Sequence, residues 1–536
     1  MPLLLASLAV GCTGIITDTK TENEDPTAST NASPTSPSWT TEYPRLTHAQ
    51  YDATVSDLLY LTTPSTLSNG FVSDGEVGLF GNETQSTSVG ESLAKDYENA
   101  ATTLALAATS DAGAYAKLVP AEVSTGRDFV ERFLPRCYRR PVAAADVDAY
   151  VNVFDNCPQE IDTGASDDFQ AGVSCVIRAC LQDPNFLYRV EHGLQPKDGV
   201  SRLTPHEIAS RLSYLLWSTM PSDELFERAE SGGLESEADI QEAALEMVAD
   251  PRAEGAFVRF HSSWLELDGL ENLALSSEIF PAFVPGIGSE LRDETERFVE
   301  AIVSTGGSYG DLLTSTEVDL TPATAAVYGV AESAQNLPAS ERAGVLTRAA
   351  FLAKFSDGNN TAPILRGRWF KDRVLCKKLQ PPKGGVPEIG VPEGVVTMRE
   401  FVEQGTACGA TCHQVLNPPG FALEQYDALG VFRTQEQNGL PIDPLVSYLL
   451  DGVEQPIDGG VSLSQTVADS LDAQTCYMRH WIQFVFGRPH GSGDFDYAQA
   501  IAQESLDGKL AIREILPRLV VTPAFLNRVV AEPEEK

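Results

Sequence analysis

From residue 47 onward the apolar positions recur at helical spacing, and the helices they predict open with capping patterns. Thr47 and Gln50 stand as a capping box, and Tyr51, Val55, Leu58 and Leu59 then share one helical face. A second helix carries Leu93, Tyr97, Ala100, Ala101 and Leu104 in phase. Arg127 to Val190 reads as all-helical, with a helix from Phe169 to Leu181 that holds Cys175 and Cys180 and stops at Asp183-Pro184. Thr204-Pro205-His206-Glu207 is a further capping box with proline at the first helical position, followed by a face of Ile208, Leu212, Leu215 and Leu216. Thr397-Met398-Arg399-Glu400 caps the helix that leads to Cys408. Only residues 446–461 read as strands, with Asp458-Gly459-Gly460 as their turn. The pattern predicts a mainly α protein of several helical units with one small strand-like segment. Asp183-Pro184-Asn185-Phe186-Leu187-Tyr188-Arg189-Val190 is echoed by Thr522-Pro523-Ala524-Phe525-Leu526-Asn527-Arg528-Val529, and the echo predicts a reused helix-turn-helix element.

The ends and the charge add a location. Leu3 to Val10 is a short apolar run, and Gly11-Cys12 follows it. This resembles a bacterial lipoprotein signal, with Cys12 as the lipidated N-terminus. Residues 13–43, rich in Ser, Thr and Pro, cannot bury enough apolar surface to offset their ordering entropy and read as a disordered tether. With 38 basic and 76 acidic residues the net charge is -38, a surface that repels phosphate backbones and anionic lipid heads. Nucleic-acid binding is excluded on that ground, and the membrane is reached through the N-terminal lipid alone, since no later apolar stretch is long enough to span one. Of nine cysteines, eight remain if Cys12 is lipidated, an even number that fits disulfides or disulfides plus one covalent haem.

The densest chemistry lies in Cys408-Gly409-Ala410-Thr411-Cys412-His413. Covalent haem c attachment uses two thiols and a histidine directly after the second, usually as Cys-x-x-Cys-His. Here the cysteines are one residue further apart. Cys408 and Cys412 would bond the haem vinyl groups and His413 would ligate the iron, with the carbonyl of Pro418 or Pro419 fixing its other nitrogen. Met398, Met478, His480 and His490 are the candidates for the sixth iron ligand. The competing readings are a Cys408–Cys412 disulfide, or pairing of these thiols with Cys376 and Cys476; a zinc site lacks a local fourth ligand. Glu424, Asp427 and Arg433 either work on a substrate or tie down a helix end through an Arg–carboxylate pair, and the second reading is favoured. Arg136, Arg139 and Arg140 are expected to pair with carboxylates, and His206 and His261 to be satisfied or exposed side chains rather than ligands. No hydrolase constellation, Walker loop or dinucleotide loop occurs, so any enzyme would be a haem oxidoreductase.

Motifs along nearly the whole chain resemble the planctomycete and myxobacterial cytochrome-associated family of uncharacterised domains. They include Arg45-Leu46-Thr47 with Val55-x-Asp57-Leu58-Leu59, Tyr138-Arg139-Arg140-Pro141, and Arg211-Leu212-Ser213-Tyr214-Leu215-Leu216-Trp217. Pro363-Ile364-Leu365-Arg366-Gly367-Arg368-Trp369, Gly420-Phe421-Ala422-Leu423-Glu424 with Tyr426-Asp427, and Cys476 with Phe486-Gly487-Arg488 continue the series. The resemblance implies five consecutive units, at 44–110, 122–195, 200–330, 341–445 and 446–532, the fourth of them cytochrome-like with the Cys-x3-Cys-His stretch. It also implies a cytochrome-c-like C-terminal region with haem c, working in electron transfer or redox chemistry. The protein would be extracytoplasmic, anchored to a bacterial outer membrane and matched to a redox partner or surface complex. The alternative is a haem-free, disulfide-braced surface lipoprotein that binds a partner protein or polymer.

Overall fold

A computed structural model describes residues 43–73, 78–82, 88–161, 163–358, 360–379, 396–406, 410–508 and 510–530, without the side chains of 410–412. Cys12, residues 13–42 of the tether and Cys408 lie outside the described residues. Helices dominate, and the strands described form three two-stranded antiparallel sheets. No described helix is long and apolar enough to cross a membrane. The chain divides into two compact units. Of the described residues, one takes Phe257–Trp481 and Ser492–Arg513; the other takes those up to Ala256, Ile482–Gly491 and those from Glu514 onward.

In the N-terminal unit the predicted caps form as read. Thr47 with Gln50, and Thr204 with Glu207, make reciprocal capping boxes that satisfy amide hydrogens otherwise left open at a helix start. The predicted apolar faces are buried: Tyr51, Val55 and Leu58 from helix His48–Leu58, and Leu93, Tyr97, Ala100, Ala101 and Leu104 from helix Glu91–Ser110. Two disulfides brace one helix. Cys180 of Asp168–Cys180 bonds Cys137, and Cys175 of the same helix bonds Cys157.

Two expectations are corrected here. Of the three arginines, only Arg136 pairs with a carboxylate among the described residues, that of Asp223. Arg139 is buried and donates to the carbonyls of Cys137, Asn185, Phe186 and Tyr188, while Arg140 donates to the Asn185 side chain. A guanidinium has five donors and suits a helix C-terminus with open carbonyls, which a carboxylate partner would leave unsatisfied. The second concerns the echoed segments. Pro184–Leu187 and Pro523–Leu526 are each a single turn, N-capped by Asp183 and Thr522. A helix precedes each, Asp168–Cys180 and Ile515–Leu519, so the helix-turn-helix element is present, but the second helix stops after that turn and extended chain follows: Tyr188 bridges to Arg45, and Asn527–Val529 pairs with Val200–Arg202.

The other unit is built on aromatic side chains. Phe260 stacks on Trp481 with centroids 3.6 Å apart, and Trp264, Trp369 and Tyr477 are buried beside them in one chain of ring contacts. His261 is fully buried and satisfied, Nδ1 against the Phe257 carbonyl and Nε2 against the Tyr477 hydroxyl, each at 2.8 Å. Burial pushes its pKa down to about 4, so it is neutral in the fold and no ligand. The predicted strands form a hairpin, Leu445–Leu450 against Val453–Asp458. Its turn is Asp451-Gly452, both with positive φ, as the two-residue hairpin turn requires. Asp458-Gly459-Gly460, read from sequence as the turn, instead starts helix Gly459–Ala468.

Candidate haem-attachment site

The helix that carries the histidine, Ala410–Phe421, is positioned by a close crossing with helix Pro363–Trp369. A side chain at Gly367 would run into the Leu416 carbonyl, and one at Gly420 into the Pro363 carbonyl. Each helix therefore offers a glycine where the other presents its backbone, and the two axes approach more closely than side chains allow. The hairpin adds a third fixing point, as the Tyr448 hydroxyl donates to the Val415 carbonyl at 3.2 Å. Before this helix comes Met398–Gly405, with the predicted capping box of Thr397 and Glu400.

His413 sits on the helix's first turns and is half-buried. Its Nδ1 lies 3.1 Å from Oδ1 of Asn417, four residues on. Asn417 is buried, and its Nδ2 reaches toward the Thr406 hydroxyl, which donates to the Val402 carbonyl. An amide oxygen accepts only, so in the neutral ring Nδ1 carries the proton and the lone pair lies on Nε2. Among the described residues Nε2 takes no hydrogen bond. This is the tautomer a metal-ligating histidine needs, with its second nitrogen held by a neighbouring acceptor. Asn417 supplies that acceptor in place of the proline carbonyls expected from sequence; the Pro418 carbonyl already accepts from the Ala422 amide. The proximal half of a haem site therefore fits the residues present.

The cysteines sort consistently with it. Beyond the two disulfides of the N-terminal unit, Cys376 bonds Cys476. The expectation that Cys376 and Cys476 might take the motif's thiols is thereby overturned. Six of the nine cysteines are committed to one another, and Cys12, Cys408 and Cys412 remain.

The sixth-ligand candidates are dispersed. His480 faces the Cys376–Cys476 disulfide, Met478 is buried within helix Leu471–Phe486, and His490 belongs to the other unit. Met398 lines a cleft of about 850 Å³ together with Phe280, Phe401, Thr361 and Arg433, and His413 is not in that lining.

Beside the cleft, Glu424, Asp427 and Arg433 take the favoured structural role. Asp427 Oδ1 accepts from the Leu429 and Val431 amides, both at 2.9 Å, and holds a turn. Glu424 is 2 % exposed, accepts from the Thr361 hydroxyl at 2.8 Å, and has Arg433 and Arg366 at 3.9 and 4.0 Å. Arg366, fully buried, donates to the carbonyls of Leu352, Phe355, Leu423, Tyr426 and Asp427, tying the segment after the histidine helix to the element that helix crosses.

Family models match four consecutive stretches, each described as a protein of unknown function: PSD3 (DUF1587) over residues 45–110, PSD5 (DUF1595) over 125–191, PSD4 (DUF1592) over 203–330, and PSCyt3 (DUF1588) over 342–436. These are planctomycete cytochrome-associated domains, arranged consecutively along the chain. No curated protein and no solved structure matches it. The cytochrome-associated PSCyt3 stretch spans both crossing helices and the Arg366–Glu424 cluster, and the hairpin that bears Tyr448 lies after it.

Sequence reasoning missed Arg366, Gly367 and Asn417 in this domain. Asn417 had a signal: four residues after a helical histidine places it on the same face. Burial pushes the Glu424 carboxyl up to about 7, against the opposing pull of Arg366, Thr361 and Arg433. A raised folded-state pKa means the native state binds a proton that the unfolded chain, near 4.5, has released. Glu424's contribution is therefore present below pH 4.5 and lost as pH rises through about 7. Glu424→Gln, compared with the parent by urea denaturation, should gain relative stability on the order of 3 kcal/mol between pH 4.5 and 8. A pH-independent difference would show that the carboxyl titrates normally.

Proposed function

We propose that the chain binds haem c covalently through Cys408 and Cys412, with His413 as the proximal iron ligand, and serves electron transfer or redox chemistry outside the cytoplasm. The observation that carries this reading is the His413–Asn417 pair, which fixes the ring and leaves Nε2 free to ligate in a domain named for its cytochrome association. The cysteine pairing supports it, because all other thiols after Cys12 have partners of their own. Disulfides persist in oxidising compartments, which supports an extracytoplasmic place; lipidation at Cys12 and an outer-membrane site complete the proposal. When bound, haem supplies a one-electron iron couple. The chain's part is to hold the ring through two thioethers, orient His413 through Asn417 and Thr406, and keep the helix rigid through the glycine crossing. A net charge of -38 suits a redox partner with a basic docking face, with association weakened by salt.

The test is expression of the full chain with haem-maturation machinery, followed by intact mass and the reduced pyridine-haem spectrum. The expected result is one covalent haem per chain, and a changed iron spectrum in His413→Ala. Free thiols at 408 and 412, or a disulfide between them, would overturn the proposal and support the haem-free lipoprotein.

A further inference from the structure

A second group of metal-binding side chains lies apart from the haem stretch, and nothing in the haem reading uses it. Cys376, Cys476 and His480 bring their ligand atoms within 4.8 Å of one another. His480 Nε2 is 3.5 Å from Cys476 Sγ and 3.7 Å from Cys376 Sγ. A fourth donor faces the same point: the Arg373 carbonyl oxygen, 3.1 Å from Nε2 and 3.3 Å from Cys476 Sγ.

The fold places these atoms by three devices. Cys476 and His480 are four apart on helix Leu471–Phe486 and share a face. Arg373 lies in the π-turn Phe370–Val374, and its carbonyl also accepts from Trp264 Nε1 at 3.1 Å. Cys376 has a φ of 52°, a left-handed conformation unfavourable for a residue with a Cβ, and this aims its sulfur back at the helix.

We propose that reduction of the Cys376–Cys476 disulfide converts this cluster into a binding site for a thiophilic divalent cation of the zinc type, with two thiolates, His480 Nε2 and the Arg373 carbonyl as ligands. The geometry carries it. Zinc–sulfur bonds of about 2.3 Å and zinc–nitrogen or –oxygen bonds of about 2.0–2.1 Å set tetrahedral edges of roughly 3.5 Å for S···N, 3.6 Å for S···O and 3.4 Å for N···O. The S···N and N···O spacings here already lie within about 0.3 Å of those edges. Only the two sulfurs must separate, to roughly 3.8 Å, once the bond between them is gone. Cys376 is half-buried and offers the entry path, while Cys476 and His480 are each 1 % exposed and keep the site dry.

The step balances with a dithiol donor. The disulfide takes two electrons and two protons and becomes two thiols; the donor's two thiols become a disulfide. The cation then displaces both thiol protons to solvent. Nε2 releases its proton and Nδ1 takes one, so the ring stays neutral.

The experiment uses the full chain with Cys408→Ser and Cys412→Ser, so that the haem stretch contributes no thiol. Zinc binding is measured by competition with a chromophoric chelator, before and after reduction with a phosphine. Reduction should create one tight equivalent, at least about 100-fold tighter than any site in the oxidised protein. His480→Gln leaves the disulfide intact; its oxidised form should melt within a few degrees of the parent, and its reduced form should bind zinc about 10- to 100-fold more weakly. Cys476→Ser should lack the site. Cobalt in place of zinc should give a thiolate charge-transfer band in the reduced parent and none in Cys476→Ser. A reduced protein with no tight equivalent, equal zinc affinity in His480→Gln, or unfolding on reduction that zinc does not reverse would each overturn the proposal.

Discussion

Gly367→Ala should destabilise the unit that carries the histidine by about 3 kcal/mol or more, far beyond the usual effect of one added methyl group. The methyl would meet the Leu416 carbonyl, and neither partner is a flexible side-chain end that could swing aside. To accept it, helix Ala410–Phe421 must move away from Pro363–Trp369, disturbing the reciprocal contact at Gly420 and the carbonyl cluster gathered by Arg366. Three of the five tryptophans, Trp264, Trp369 and Trp481, lie in this unit, so their fluorescence during urea unfolding reports on it. Gly508→Ala is the control: nothing stands within 4 Å of the added atom, and its effect should be within about 1 kcal/mol. An unchanged midpoint for Gly367→Ala would mean that the two helices do not cross at this distance. The same variant should also loosen the hold on His413, since the crossing fixes the helix that bears it.

The second large effect is at a buried ion pair in the same unit. Arg348 and Glu294 are 1 % and 0 % exposed, and Arg348 Nη1 bonds Glu294 Oε1 directly. Glu294 Oε2 also accepts from the Tyr328 hydroxyl at 3.0 Å, and the guanidinium lies 3.8 Å from the centre of the Phe298 ring. Removing one partner leaves the other's charge buried and uncompensated. Arg348→Ala should therefore cost about 3–5 kcal/mol, read as a fall in the denaturation midpoint. Arg348→Met with Glu294→Gln should recover a large part, because the buried carboxylate is then gone. Equal losses in the single and double variants would show that packing at Arg348, not charge, sets its importance.

The local reading succeeded where the determinant was local. Caps at Thr47, Thr204 and Thr397, each with its partner three residues on, fixed helix starts, and the 3.6-residue spacing of apolar side chains picked out faces that are indeed buried. It failed where two segments offered similar local signals. Asp451-Gly452 and Asp458-Gly459 both suit positive φ, and only the cross-strand register, Leu445 opposite Asp458 and Leu450 opposite Val453, chooses the first as the turn. Likewise the Pro-Phe-Leu echo specifies an N-capped turn, but extended partners at Arg45 and at Val200–Arg202 draw the following residues out of helix.

In the candidate site, sequence alone supplied the motif, its family and an even set of thiols. Spacing along a chain says nothing about which sulfurs meet, so Cys376 with Cys476, 100 residues apart, could come only from the packing of the elements that carry them. The same holds for the Gly367–Gly420 crossing, where a missing side chain has meaning only beside another backbone, and for Arg366, whose five carbonyl partners gather from two separate segments. Sequence determined which helices form, which faces they bury and which residues bear chemistry. Tertiary structure decided which of those residues share a site, because that depends on contacts between segments far apart in the chain.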